Sequence, residues 1–238
     1  MNVRKQRIGL KNTICTVVIL FLILTFGISL KASAGVMSCR TGSYEYIATQ
    51  NGQTYTIYRR KLTSAQKQKL TTVQGSWINL QKVYNDSLYF EVGKLNFSDQ
   101  SDVWMCNIKT KQKKRLKRNA EIVGKNGKYL CIAPNAAAPV SLSLNVYNMR
   151  TQKWKNVKHK VFNVYKAKIS GDRLYYARMI GEHKDVNRCF TFQIWCKNLK
   201  TGKENCVVKN FKATVITEIT AKYVKYNLPG NIVKNKMY

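Results

Sequence analysis

From residue 44 onward, apolar and polar positions alternate in short runs rich in Tyr, Val, Ile, Phe and Trp, the pattern and composition of half-buried strands. One stretch predicts a complete unit: 77–83 a first strand, Asn85-Asp86-Ser87 a tight turn, 88–92 a second strand, 102–107 a third and 113–117 a fourth. The same order returns downstream, with second and third strands at 128–132 and 144–148 after the turn Asn126-Gly127, and at 173–178 and 191–198 after Gly171-Asp172. Upstream, 44–49 and 54–60 supply the second and third strands of an earlier unit. Asn, Asp and Gly suit these turns because they tolerate positive backbone angles or hydrogen-bond their own backbone. No long 3.6-residue apolar period occurs beyond the first 34 residues, so almost no helix is expected there.

A hexapeptide punctuates the units: NIKTKQ from Asn107, NMRTQK from Asn148 and NLKTGK from Asn198. Nine residues after each Asn stands one aliphatic residue, Leu116, Val157 or Val207. A worn copy begins at Lys61, with Leu70 at the same offset. The four copies are spaced by 46, 41 and 50 residues, the length of a four-stranded propeller blade. The expected fold is therefore all-β, a β-propeller of four-stranded antiparallel blades, with four blades and a C-terminal closing or partial blade. Residues 214–220 and 222–228 read as two further strands, and the short segment before Tyr44 favours 214–220 as the strand that completes the first blade.

The patterns NDSLYF from Asn85 and GDRLYY from Gly171, each followed by an N-[IML]-[KR]-T turn, resemble the blades of secreted bacterial propellers of the TolB-like and YWTD-like kind, including a clostridial group. The resemblance spans residues 44–228 and implies a propeller scaffold without a catalytic residue. Such propellers close with six or more blades, and four are counted here.

Residues 1–34 read as a signal peptide. Arg4, Lys5, Arg7 and Lys11 precede an uncharged, mostly apolar run of 17 residues, 14–30, and Ala32-Ser33-Ala34 sets cleavage between Ala34 and Gly35. The mature domain would be 35–238, secreted or at the cell surface. An uncleaved leader anchoring the protein in the membrane is the alternative, since 17 residues lie at the short edge of a span. Lipidation of Cys39 is disfavoured by Met37 and by Lys31.

Removing the leader takes five of 42 Lys and Arg and none of 11 acids, leaving 37 against 11, a net charge of +26. That balance favours polyanionic partners: a wall polymer, an acidic glycan, acidic lipid headgroups or nucleic acid. The bland reading is a solvated basic surface. The densest run is Lys109, Lys111, Lys113, Lys114, Arg115, Lys117 and Arg118, on the predicted fourth strand of the second unit. Leu116 is expected to turn inward and its flanking cations to face water, where lysines on an outer strand also block edge-to-edge pairing.

Catalytic signatures are sparse. His159 and His183 read as surface residues, and no HExxH, CxxC, Walker or GxSxG pattern occurs. Asp99 with Asp102, and Glu182 with Asp185, are the acidic pairs that a glycan-active enzyme could recruit from loops. No cofactor and no metal site is expected. Of Cys39, Cys106, Cys131, Cys189, Cys196 and Cys206, most read as buried thiols, with Cys196 and Cys206 as the candidate disulfide. Trp104 and Trp195, each three residues before a hexapeptide Asn, and Tyr58 at the matching place, point to packing between blades rather than to a sugar platform. The expectation is a monomeric, exported, non-catalytic propeller that binds an anionic polymer or another envelope protein. The alternatives are an extracellular glycan-active enzyme and a protein-interaction scaffold of the envelope.

Overall fold

Five antiparallel sheets succeed one another along the chain in a computed structural model, which describes residues 37–136, 140–182 and 189–238. The leader, its Ala34–Gly35 junction, His183 and Asp185 lie outside the described residues, as does the side chain of Glu182. The first sheet is β1 (Ser38–Thr41), β2 (Tyr44–Asn51), β3 (Thr54–Lys61) and β4 (Lys67–Gln74), and the second is β5 (Ile78–Tyr84), β6 (Ser87–Lys94), β7 (Phe97–Asn107) and β8 (Lys113–Lys117). The third is β9 (Ala120–Lys125), β10 (Tyr129–Pro134), β12 (Asn145–Asn148) and β13 (Lys153–Asn156); β11 (Ser141–Leu142) leaves it to join the next sheet. In that fourth sheet β14 (Val161–Phe162) and β15 (Lys168–Ser170) share the role of first strand, followed by β16 (Arg173–Glu182), β17 (Phe190–Asn198) and β18 (Glu204–Ala213). The fifth is β19 (Val215–Ile219), β20 (Tyr223–Leu228) and β21 (Ile232–Met237). Two short 3-10 turns are the only helical elements among the described residues. The all-β propeller with four-stranded blades is what the alternating pattern predicts.

The hexapeptides are the turns between third and fourth strands, and each residue type has a job. The Asn side-chain oxygen accepts two backbone N–H groups: Lys109 and Thr110 at 2.9 Å each on Asn107, Arg150 and Thr151 at 2.9 and 3.1 Å on Asn148, and Lys200 and Thr201 at 2.9 and 3.1 Å on Asn198. The next residue donates its N–H to the turn between first and second strands, Ile108 to the Asp86 carbonyl at 2.7 Å, Met149 to Lys128 at 2.9 Å and Leu199 to Asp172 at 2.7 Å. Its side chain is buried against the preceding blade.

The aliphatic residue nine places on packs the other way. Leu70, Leu116, Val157 and Val207 each enter the core shared with the following blade. Four such cores join the sheets in order, first to second, second to third, third to fourth and fourth to fifth. Among the described residues no fifth core joins the last sheet to the first.

Three expectations are corrected. Residues 215–219 pair with β20 and not with the first sheet, whose first strand is β1; four residues suffice because Tyr46 and Ala48 on β2 already carry that sheet's packing. The fifth unit gains β21 as a third strand, a segment that composition hides because Lys234, Asn235 and Lys236 interrupt its apolar residues. Cys196 and Cys206 are free thiols. Cys206 pairs in register with Trp195, and Cys196 with Asn205, so the two sulfur atoms leave opposite faces of the hairpin.

Candidate functional site

First strands of neighbouring blades stand against one another, β1 beside β5 and β9 beside β15, which leaves the fourth strands as the outer edge. Those strands are rich in cations. Lys67 and Lys69 on β4, Lys114 and Lys117 on β8, Lys153 on β13, and Lys209 and Lys212 on β18 are all exposed. None of these side chains forms a hydrogen bond or ion pair with a described residue. An edge strand pairs on one side only, so its side chains stand in water and its free backbone edge is guarded by charge. The sequence run points to β8 alone. The belt on the other blades is not a repeated motif: Lys153 stands five residues after its Asn, and Lys209 and Lys212 stand eleven and fourteen after theirs, so only the placing of fourth strands reveals it.

Within the run from Lys109 to Arg118 the structure separates two groups. Lys109 pairs with Asp86 at 2.8 Å, Lys113 Nζ donates to the Thr72 carbonyl of the first blade at 2.6 Å, and Arg115 pairs with Asp102 at 2.7 Å. Arg115 also stands 5.1 Å over the Trp104 ring, with Lys113 5.9 Å from it. Of these contacts only that of Lys113 crosses to the first blade; Lys109 and Arg115 pair within the second, and all three residues are exposed while tied to a neighbour. Leu116 itself packs toward the third blade as expected. Lys111, Lys114, Lys117 and Arg118 remain free of described partners and form the β8 portion of the cationic belt.

The acidic residues are largely committed to structure. Asp99 and Asp102 lie inside β7 rather than in a loop, and Asp102 is occupied by Arg115 and by the Asn119 N–H at 2.9 Å. This removes them as a pair of loop carboxylates. Glu91 is buried between second and third blades, accepting from Asn79 Nδ2 at 3.0 Å, Gln81 Nε2 at 2.6 Å and the Ile122 N–H at 2.6 Å. Burial raises its carboxyl above the ordinary range against the pull of those donors. Glu204 is buried too, yet Lys197 at 2.5 Å, the Lys158 N–H and the Tyr176 hydroxyl outweigh that burial and hold its carboxyl below the ordinary range.

His159 is not a free surface residue: its ring lies 4.5 Å from that of Trp195, and burial lowers its pKa. Trp195 donates Nε1–H to Gln193 at 2.9 Å and packs at the junction of third and fourth blades, as Trp104 does between first and second. Both are interface residues. No group of three or more His, Cys, Asp or Glu side chains among the described residues could hold a metal ion.

No protein-family model matches the chain, and no curated protein matches it in sequence. Solved structures do. The β-propeller domain of the Trilobed protease from Pyrococcus furiosus is 10% identical, with a TM-score of 0.52 over 86% of this chain and 68% of that one. A prolyl endopeptidase is 12% identical, with a TM-score of 0.45 over 85% of this chain and 34% of that one. The tricorn protease is 10% identical, with a TM-score of 0.40 over 84% of this chain and 29% of that one. At such identities the likeness to the Trilobed protease domain speaks for the fold alone, and it agrees with the blades and their order: this chain is a β-propeller.

Proposed function

We propose that this chain is an exported, non-catalytic propeller that binds an anionic polymer at the cell surface through the outer edges of its blades. The observation that carries the reading is the segregation of charge. Seven ion pairs form among the described residues and use Glu45, Asp86, Asp102, Asp172 and Glu204. The lysines of the fourth strands are left without carboxylate partners on consecutive blades. A polymer lying across several blades would meet one cationic strand after another, so weak contacts would add through its length. Such contacts hold a chain of charges without reading its sequence.

The test is retention of the mature protein on matrices bearing an anionic wall polymer, an acidic glycan or nucleic acid, eluted with increasing salt. Retention that falls steeply with salt on at least one matrix is expected, because each neutralised charge releases a counterion. Passage through all three at low salt would end the proposal.

A further inference from the structure

The two last junctions between blades differ at one equivalent place. Strand registers set Tyr129 opposite Asn148 in the third blade and Arg173 opposite Asn198 in the fourth, so Tyr129 and Arg173 occupy the same position. The turn carbonyls that receive the N–H groups of Met149, Leu199 and Tyr238 likewise make Lys128, Asp172 and Lys222 counterparts in the third, fourth and fifth blades.

Between third and fourth blades this geometry holds an anion supplied by the chain itself. Asp172 of the fourth blade accepts the Tyr129 hydroxyl at 3.1 Å and pairs with Lys200 at 3.1 Å and Lys128 at 3.6 Å. The lysines and the hydroxyl hold its carboxyl below the ordinary range, the Lys200 contact most of all.

Between fourth and fifth blades the place of that carboxylate falls to Lys222, a cation. A cleft of about 440 Å³ opens there, lined among others by Arg173, Tyr175, Asn198, Lys203, Asn205 and Tyr238. Neither Arg173 nor Lys203 forms an ion pair with a described residue. Tyr175 beside it raises the pKa of the Arg173 guanidinium. Asn198 spends its side-chain oxygen on the N–H groups of Lys200 and Thr201, which leaves its amide nitrogen as donor. The rings of Tyr175 and Tyr238, with centroids 6.0 Å apart, form an aromatic wall. The cleft is thus rich in donors, and no Asp or Glu side chain is among its lining residues.

We propose that this cleft binds a single oxyanion group, phosphate or carboxylate, in the position that the Asp172 carboxylate fills one blade earlier. Arg173 presents a planar fork of donors suited to such a group, and Lys203 adds a point charge. The site deepens the polyanion reading by giving a polymer one ordered contact among many loose ones. It would take the same group from a free small anion.

The experiment is titration of the mature protein with inorganic phosphate and, separately, with glucuronate, at ionic strength held constant with chloride, followed by the amide signals of Asn198, Thr201 and Lys203. Saturable one-to-one binding of at least one of the two is expected. Arg173→Gln should weaken it about tenfold, the worth of one charge-assisted contact. Lys222→Asp keeps Arg173 and Lys203, puts a carboxylate at the repeat position that Asp172 holds in the preceding junction, and should abolish binding while a thermal melt reports the fold intact. Binding in Lys222→Asp equal to the parent, or no saturable binding of either anion by the parent, would overturn the proposal. Small-anion binding that survives when retention on the polymer matrices fails would sink the polymer reading and leave this one standing.

Discussion

The face that the second blade turns toward the first differs from the corresponding face of the first blade, against which no core forms among the described residues. At the register position after the turn, the second, third and fourth blades carry Leu88, Leu130 and Leu174, each with no exposed surface and each packed on the blade before. The first blade carries Glu45 at that position, hydrogen-bonded to Arg40 at 3.0 Å and to Arg60 at 2.8 Å. Their guanidinium groups hold its carboxyl below the ordinary range. The hexapeptide position tells the same story, since Leu199 has no exposed surface and its counterpart Leu62 is 48% exposed. At the other end, Lys225 and Asn227 of β20 stand where Tyr175 and Ala177 of β16 meet the next blade. Stacked repeats need terminal units with polar outer faces, and the first and last described blades carry polar residues, Glu45, Lys225 and Asn227, at these positions. The worn first hexapeptide fits this: among the described residues Leu62 has no core to enter, so nothing there holds the motif to its pattern.

Removing one partner of the buried Lys197–Glu204 pair breaks an interior face most severely. Lys197→Met should cost about 3–5 kcal/mol in chemical denaturation, because it strands a carboxylate without its cation. The pH profile sharpens the point. The Glu204 carboxyl lies below its unfolded value, so its stabilisation is present above the unfolded pKa and is lost as pH falls through the folded one. That acid-side loss should shrink in Lys197→Met.

Next come matched truncations. Leu199→Ala should cost about 2–5 kcal/mol, as full burial predicts, and Leu62→Ala at the same repeat position should stay within about 0.5 kcal/mol. Equal losses would break the distinction between interior and terminal faces. Glu45→Leu gives the first blade the residue of an interior face and releases Arg40 and Arg60. Sedimentation should then show more self-association than the parent, and a variant no more associated than the parent would contradict the cap. The smallest effect is expected at the outer edge, where Lys114, Lys117 and Arg118 changed together to Gln should alter stability within about 0.5 kcal/mol.

Much of this architecture is written in local pattern. Asn107, Asn148 and Asn198 announce their turns because a side chain that caps two N–H groups leaves a fixed signature, and the aliphatic residues nine places on mark the following interface. What stays hidden depends on neighbours far apart in sequence. Arg115 and Lys113 look like solvated cations until Asp102 and Thr72 are brought beside them. The cleft at Arg173 needs four segments, the last of them Tyr238, and no spacing rule links them. β21 escapes the alternating pattern because its lysines interrupt an edge strand whose residues are all exposed.

The most direct test of the central claim compares two charge-matched variants across a salt series on the retaining polymer. One replaces Lys114, Lys117 and Arg118 by Gln on the outer edge, and the other replaces Lys82, Lys166 and Lys168, which lie away from the fourth strands. The account predicts that the logarithm of affinity falls less steeply with the logarithm of salt in the first variant, by roughly 0.7–0.9 for each polymer charge no longer neutralised, while the second keeps the parent slope. Equal slopes in the two variants would contradict it, leaving diffuse charge rather than the blade edges as the binding surface.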